Sequence, residues 1–259
     1  MQVALTIAGS DASGGAGIQA DLKTFHQFGL YGEAVITLLA VQNTRRAGRV
    51  EVLSKETVVE QLEAVLEDIP PDAVKTGALG SAALVSAIGR LAAGFHFPLV
   101  VDPVLVGKQG QVLLERAALG PLRNELLPRA ALVTPNIPEA EALAEMEIRG
   151  PEELRRAAGR ILAMGARAVL IKGGHREGPA TDVLLTPEGW SEFAASRIAT
   201  RQGHGTGCTY SAAITAGLAC GLSLPEAVAR AKRYIHEAMA SAPGLGNGCG
   251  PVNHHAAAG

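Results

Sequence analysis

The chain has 259 residues, of which 47% are hydrophobic and only 3% aromatic, and its formal net charge is −2. Such a chain can build a large aliphatic core. It lacks both the basic face that neutralises nucleic-acid phosphates or anionic lipid and the aromatic platforms on which bases stack, so these partners are excluded. Cys208, Cys220 and Cys249 cannot all pair and lack CxxC metal spacing, which points to reduced thiols in the cytoplasm. The opening VALTIAG carries no basic leader, and no apolar run approaches the roughly 20 residues of a membrane span.

The apolar run over 3–9 reads as a first strand, followed by the loop SDASGGAG (10–17) and a helix striped by Ile18, Leu22, Phe25 and Phe28. AVITLLAV (34–41) has the pattern of a strand buried on both faces and ends in Gln42-Asn43-Thr44. A helix over 57–68 is expected to use Thr57 and Glu60 as a capping box. Strands over 73–77 and 99–104 flank a helix over 82–93. A strand over 131–134 leads to a helix over 138–147, and Pro151 opens another that stops before Gly165. A strand over 168–171, short strand-like pieces within 181–200 and two helices complete the chain, the last capped by Ser223 with Glu226. This alternation predicts a mainly parallel sheet covered by helices on both faces, in one domain spanning 1–259. Ligands of such sheets bind beyond the carboxyl ends of the strands. Ser10 and Asp11, Gln42 and Asn43, Lys75 and Thr76, Asp102, Asn136 with Glu139, and Lys172 all fall at those ends.

GHGTGCTYS (203–211) leads into a small-residue helix over 209–219. Gly203, Gly205 and Gly207 let main-chain N–H groups approach a ligand, and a helix N-terminus adds unpaired donors and a positive dipole end, which suits phosphate. The same field is expected to lower the pKa of Cys208 and favour its thiolate. The competing readings are an ordinary tight turn and a cysteine that packs as a small hydrophobe. No Lys-Ser/Thr pair follows, so this is not a Walker A loop. Gly15-Ala16-Gly17-Ile18-Gln19-Ala20 fits GxGxxG/A, but five residues separate its first glycine from the strand. The second strand ends in Gln42 where a ribose-binding acid would stand, so a dinucleotide site is rejected. Asn136-Ile137-Pro138-Glu139 reads both as a helix cap and as a carboxylate that orients a magnesium-bound water. Asp102 in VVDPV serves the metal or shapes the turn. Lys172 in LIKGGH is placed to reach a phosphate, whereas Lys108 in GKQG reads as an exposed lysine. His175 and His204 read as turn residues or proton shuttles, and the adjacent His254 and His255 do not read as a metal pair.

Taken in order, GSDASGGAGIQADLKTF, AVQNT, KTGALGS, VVDPVLVGKQG, TPNIPEAE, LIKGGH and HGTGCTYSAA resemble one family, the bacterial hydroxymethylpyrimidine/phosphomethylpyrimidine kinases of thiamine biosynthesis. The similarity runs on to the tail GNGCGPVNHH, and AVQNT together with HGTGC is its most specific part. It implies a three-layer ribokinase-like α/β fold and an enzyme that uses ATP and Mg²⁺. Gln42 then matches the residue that reads the pyrimidine edge, an amide offering one donor and one acceptor group. Ala16 and Ala40 match ring contacts, and Asp21 and Ala78 complete the substrate-binding set. Gly205, Thr206, Gly207 and Cys208 match the anion hole, with Cys208 where sugar kinases of the superfamily carry an aspartate base. Asn136 and Glu139 match the magnesium-organising motif, with Asp102 as an indirect contributor. Lys172 matches a phosphate contact and, with Asn136 and Thr206, a nucleotide contact. A homodimer is expected.

The chain also departs from that pattern. Ala78 stands where the family commonly has Met, which is expected to enlarge the ring pocket. Gly107 and Gln109 depart from the usual VAKSG, which bears on loop closure, and Gln202-Gly203 replace a usual Asn-Thr. The leading reading is a kinase that transfers the γ-phosphoryl group to the hydroxymethyl oxygen and then to the monophosphate. A pyridoxal kinase of the same fold is the runner-up. A silent pyrimidine-binding sensor is the competing class; loss of the loop glycines or of Glu139 would favour it, and both are present.

Overall fold

The computed structural model describes residues 1–173 and 180–259; His175 lies outside the described residues. Its strands are β1 (Val3–Asp11), β2 (Tyr31–Gln42), β3 (Ala47–Val52), β4 (Ala73–Thr76), β5 (Leu99–Val101), β6 (Leu132–Val133), β7 (Val169–Ile171), β8 (Asp182–Thr186) and β9 (Gly189–Phe193). They form one sheet in the order β3-β2-β1-β4-β5-β6-β7-β8-β9. The run from β2 to β7 is parallel, as expected for strands joined by helices, while β3, β8 and β9 pair antiparallel at the two edges.

The helices are α1 (Gly17–Gln27), α2 (Lys55–Asp68), α3 (Ala82–Leu91), the single turn α4 (Leu119–Pro121), α5 (Ile137–Ala144), α6 (Pro151–Leu162), α7 (Thr206–Ala219) and α8 (Leu224–Ala240). Alternation along the strands sorts them into two layers. Val74, Leu99, Val101, Val133, Val169 and Ile171 pack with α2, α3, α5 and α6. Ala73, Val100, Leu132 and Leu170, one residue out of step, pack with α1, α7 and α8. The result is the three-layer α/β architecture with a mainly parallel sheet that the sequence predicts. No helix among the described residues is long and apolar enough to cross a membrane.

Five local features differ from the sequence reading. AGRVEV forms the edge strand β3, its Val50 and Val52 alternating with Arg49 and Glu51. β2 is therefore not buried on both faces: Leu38 and Ala40 turn inward while Leu39 and Val41 are exposed. Helix α2 is capped by Ser54, whose side chain accepts from the Thr57 amide at 3.2 Å, so Thr57 lies inside the first turn and is not the cap. The unassigned stretch 116–129 is helical but broken by Pro121 and Pro128 into α4 flanked by tighter and wider turns. Helix α7 begins at Thr206, three residues early, because Gly205 adopts φ +78° as its N-cap.

Candidate active site

β1 delivers Asp11 to the carboxyl edge of the sheet, in register beside Ala40 of β2. Its carboxylate accepts from the amides of Ser13 (2.9 Å), Gly15 (3.1 Å) and Ala16 (2.9 Å), from the Ser13 hydroxyl (2.7 Å), and lies 2.7 Å from His204 Nε2. Burial alone would raise this carboxyl, but hydrogen bonds from His204, Gln42 and Ser13 outweigh it and hold the group well below the usual range. The glycine loop at 12–16 is thus wrapped around the protein's own anion and is no phosphate cradle. Sequence reasoning placed Asp11 only among the polar strand ends and read His204 as a turn residue or proton shuttle. An Asp before a Ser/Gly-rich loop is the signal that was available.

The second glycine loop packs on the first. At Gly205 a β-carbon would overlap the Gly15 carbonyl and stand 3.2 Å from Ala16 Cα, so only glycine lets the loops interlock. The Thr206 hydroxyl closes the turn by donating to the Gly203 carbonyl at 2.9 Å. The amides of Gly207 and Cys208 then fall in the first turn of α7, where a helix supplies no acceptor. Exposed Lys108 approaches from the facing loop, 4.0 Å from a β-carbon placed on Gly203.

Lys172, just beyond β7, is held by its amide on the Pro135 carbonyl at 2.9 Å. Its ammonium lies 3.4 Å from a β-carbon placed on Gly207 and pairs with Asp102 at 2.8 Å. Asp102 also accepts from Thr134 (3.2 Å) and Ser211 (3.1 Å). Burial would raise Asp102, but Lys172 and Lys75 together hold it low. Burial would likewise lower Lys172, yet Asp102 and Glu139 hold it protonated. Asn136 and Glu139 make the reciprocal cap of α5, each side chain meeting the other's amide at 2.9 Å. The cap reading of NIPE is thereby realised, and it leaves Glu139 buried beside the Asp102–Lys172 pair. Burial pushes its carboxyl up, Lys172 opposes this and Asp102 adds to it.

Cys208 overturns the expected thiolate. Burial pushes its thiol up to about 11, against the lowering influence of Lys75, while Asp21 and Asp102 add to the rise. Desolvation outweighs the opposing charge of Lys75. The Gly17 amide at the start of α1 is its hydrogen-bond neighbour. Asp21 is also displaced from its expected role. It is fully buried, bonded to the Thr6 hydroxyl at 2.6 Å and paired with fully buried Lys75 at 2.8 Å, so it supports the site from behind and presents nothing to a ligand. Burial works against charge on Lys75, but Asp21, Cys208 and Asp102 raise its pKa to about 12.

On the other side of the loops, Ala40 and Ala78 form an apolar seat with Leu38, against which Val50, Val104 and Leu113 pack. Ala78 lies within this cluster and is largely buried. Gln42 accepts from Gln111 Nε2 at 2.6 Å, and Gln109 Nε2 reaches the Asn43 carbonyl at 2.8 Å. The loop 105–113 thus lies over the end of β2. The structure brings Ala16, Gly205, Thr206, Gly207 and Cys208 together with Lys172, Asp102, Asn136 and Glu139, places Gln42 and Ala40 beside Asp11, and packs Ala78 against Leu38 and Ala40.

Residues 11–253 match the model of the phosphomethylpyrimidine kinase family. The chain belongs to that family. It is 48% identical over 256 residues to a hydroxymethylpyrimidine/phosphomethylpyrimidine kinase of Rhizobium meliloti, covering 97% of this chain and 96% of the relative. It is 49% identical to the thiamine biosynthesis bifunctional protein ThiED of Geobacter sulfurreducens over 98% of this chain, which spans only 52% of that relative. Its fold superposes on the ADP complex of Bacillus subtilis pyridoxal kinase with a TM-score of 0.90 at 36% identity, covering 99% of this chain and 98% of that one.

Among the described residues no group of three or more His, Cys, Asp or Glu is gathered to hold a metal. Two neighbouring carboxylates, Asp102 and Glu139, fit an ion held mainly by phosphate oxygens and water, which is the usual habit of Mg²⁺.

Proposed function

We propose that this chain is an ATP-dependent kinase that phosphorylates 4-amino-5-hydroxymethyl-2-methylpyrimidine and then its monophosphate, in thiamine biosynthesis. The observation that carries the reading is the meeting, at one sheet edge, of a helix N-terminus, a buried protonated Lys172 and Cys208 beside a small apolar seat flanked by Gln42. The first-turn amides of Gly207 and Cys208, with Gly205 and Thr206 shaping the turn, and the Lys172 ammonium would neutralise the charge of a transferring phosphoryl group, which is most of what this chemistry requires. Thr206 and Asn136 line the nucleotide side. Mg²⁺, held through water by Glu139 and Asp102, would supply further charge neutralisation. Gln42 reads the pyrimidine edge, while Ala16, Ala40 and Ala78 seat the ring.

Cys208 is the proton acceptor in this reading. With a thiol near 11, about one molecule in ten thousand carries the thiolate at pH 7, so the rate should climb with pH. Incubation with ATP, Mg²⁺ and the hydroxymethylpyrimidine, followed by mass spectrometry, should show the monophosphate and then the diphosphate. Absence of both would overturn the reading. Pyridoxal kinase is set aside because the pyrimidine kinase relatives are the more similar in sequence. A cytoplasmic location is supported by three unpaired cysteines. Pairing into a homodimer is supported by Leu39 and Val41, exposed on the outer face of β2. Light scattering should then give twice the 26.6 kDa chain mass, and a single chain mass would refute the pairing.

A further inference from the structure

The loop over β2 is a small hairpin. Val106 and Val112 face each other across it, the Gly107 amide donates to the Gln111 carbonyl at 2.8 Å, and Gly110 turns the chain with φ +84°. Two glutamines hook this flap onto the β2–β3 turn, Gln109 through the Asn43 carbonyl and Gln111 through the Gln42 side chain. In both, the side-chain carbonyl oxygen is buried and has no hydrogen-bond partner.

The orientation of these amides follows from charge. Asp11 is anionic and can only accept, so Gln42 must turn its NH₂ toward it. The Gln42 carbonyl then faces Gln111, whose NH₂ donates to it at 2.6 Å. Gln111 Oε1 is therefore left over, buried and in want of a donor, beside a Gln42 carbonyl that retains a second lone pair. The arrangement depends on Gly107: a β-carbon there would overlap the Gln111 carboxamide, with Oε1 at 2.7 Å.

A neutral ring amine carries two N–H donors and needs two acceptors. We propose that Gln111 is a substrate-reading residue, its carbonyl taking one hydrogen of the exocyclic amine of an aminopyrimidine while the Gln42 carbonyl takes the other. This rests on the kinase reading above and on Gln42 lying at the ring edge. The flap then closes on amine-bearing rings in particular, since a ring without the amine leaves a buried acceptor unpaired.

The test compares kcat/KM for the aminopyrimidine and for its analogue with hydrogen in place of the amine, in wild type, Gln111→Leu and Gly107→Ala. Gln111→Leu removes the acceptor, and Gly107→Ala displaces it while leaving its chemistry intact. Both variants should lose roughly 5- to 100-fold on the amine-bearing ring, the range for an unmade buried hydrogen bond. The analogue should change by less than about twofold, the scale of a change far from any lost hydrogen bond. Equal losses on both rings would make Gln111 a structural latch and overturn the inference, as would no loss on either. Calorimetry of wild type separates the two levels: failure to bind either ring would remove the kinase reading itself.

Discussion

The fully buried Asp21–Lys75 pair gives the account its sharpest stability test. In Lys75→Met the methionine fills much of the same volume but leaves Asp21 without its cation. Asp21 then keeps only the Thr6 hydroxyl as a donor, and its Oδ1 has no hydrogen-bond partner even in the intact protein. Breaking a buried pair from one side costs about 3–5 kcal/mol. At about 2–4 °C per kcal/mol for a chain of this size, the Tm should fall by roughly 6–20 °C. The sign of the pH dependence follows from Asp21, whose pKa burial already raises above its unfolded value. Without Lys75 the folded state favours the neutral acid still more. The deficit is therefore absent below the ordinary 3.8 of Asp21, grows as the pH rises above it, and is full only once the pH passes the raised folded-state pKa. Lys75→Met/Asp21→Asn should recover most of the melting temperature. It should not recover activity, because Lys75 is also the cation that opposes the rise of the Cys208 thiol. Calorimetric melts at several pH values check this. A Lys75→Met protein melting within 2 °C of wild type (a change of about 1 kcal/mol or less) would refute the reasoning.

Gln42→Leu should cost pyrimidine affinity about 1–3 kcal/mol and leave ATP affinity unchanged; calorimetry with each ligand decides. Ala78→Met should overpack the seat formed with Leu38, Val50, Val104 and Leu113, destabilising the fold by about 1–3 kcal/mol. It should lower kcat/KM on pyrimidine and pyridoxal alike, and a selective gain for the pyrimidine would show that open space exists there after all. Burial and the neighbouring Asp68 push the Glu33 carboxyl up to about 7, so stability drains away as pH rises from its ordinary 4.5 through that value. Glu33→Gln should therefore melt with wild type at pH 5 and above it at pH 8, in paired thermal scans.

What was legible in the sequence, and what was not, divides along physical lines. Apolar runs punctuated by glycine revealed the parallel strands, the rule that ligands bind at their carboxyl ends singled out Asp102, Asn136 and Lys172, and the glycine loop before a helix singled out Gly205 to Cys208. β3 escaped because six residues, four of them exposed and two charged, carry little burial signal. The stretch 116–129 escaped because its prolines break the helical period. Asp21 and Lys75 are 54 residues apart, and Asp11 and His204 are 193 apart. No local pattern announces such partners, although each residue was visible singly. The Cys208 shift was misjudged in sign, since a helix dipole and desolvation compete and only the packed surroundings show which is larger.

The most direct measurement is pyrimidine-dependent ADP release by wild type and Cys208→Ala across pH 7 to 9. Wild type should release ADP only with pyrimidine present, at a rate rising about tenfold per pH unit, as a base with a pKa near 11 requires. Cys208→Ala should fall by roughly 10²- to 10⁴-fold, lose that slope and keep its KM for the pyrimidine. Full turnover by Cys208→Ala, or a flat wild-type profile, would contradict the assignment of Cys208 as the proton acceptor, and pyrimidine binding without any ADP release would contradict the kinase itself.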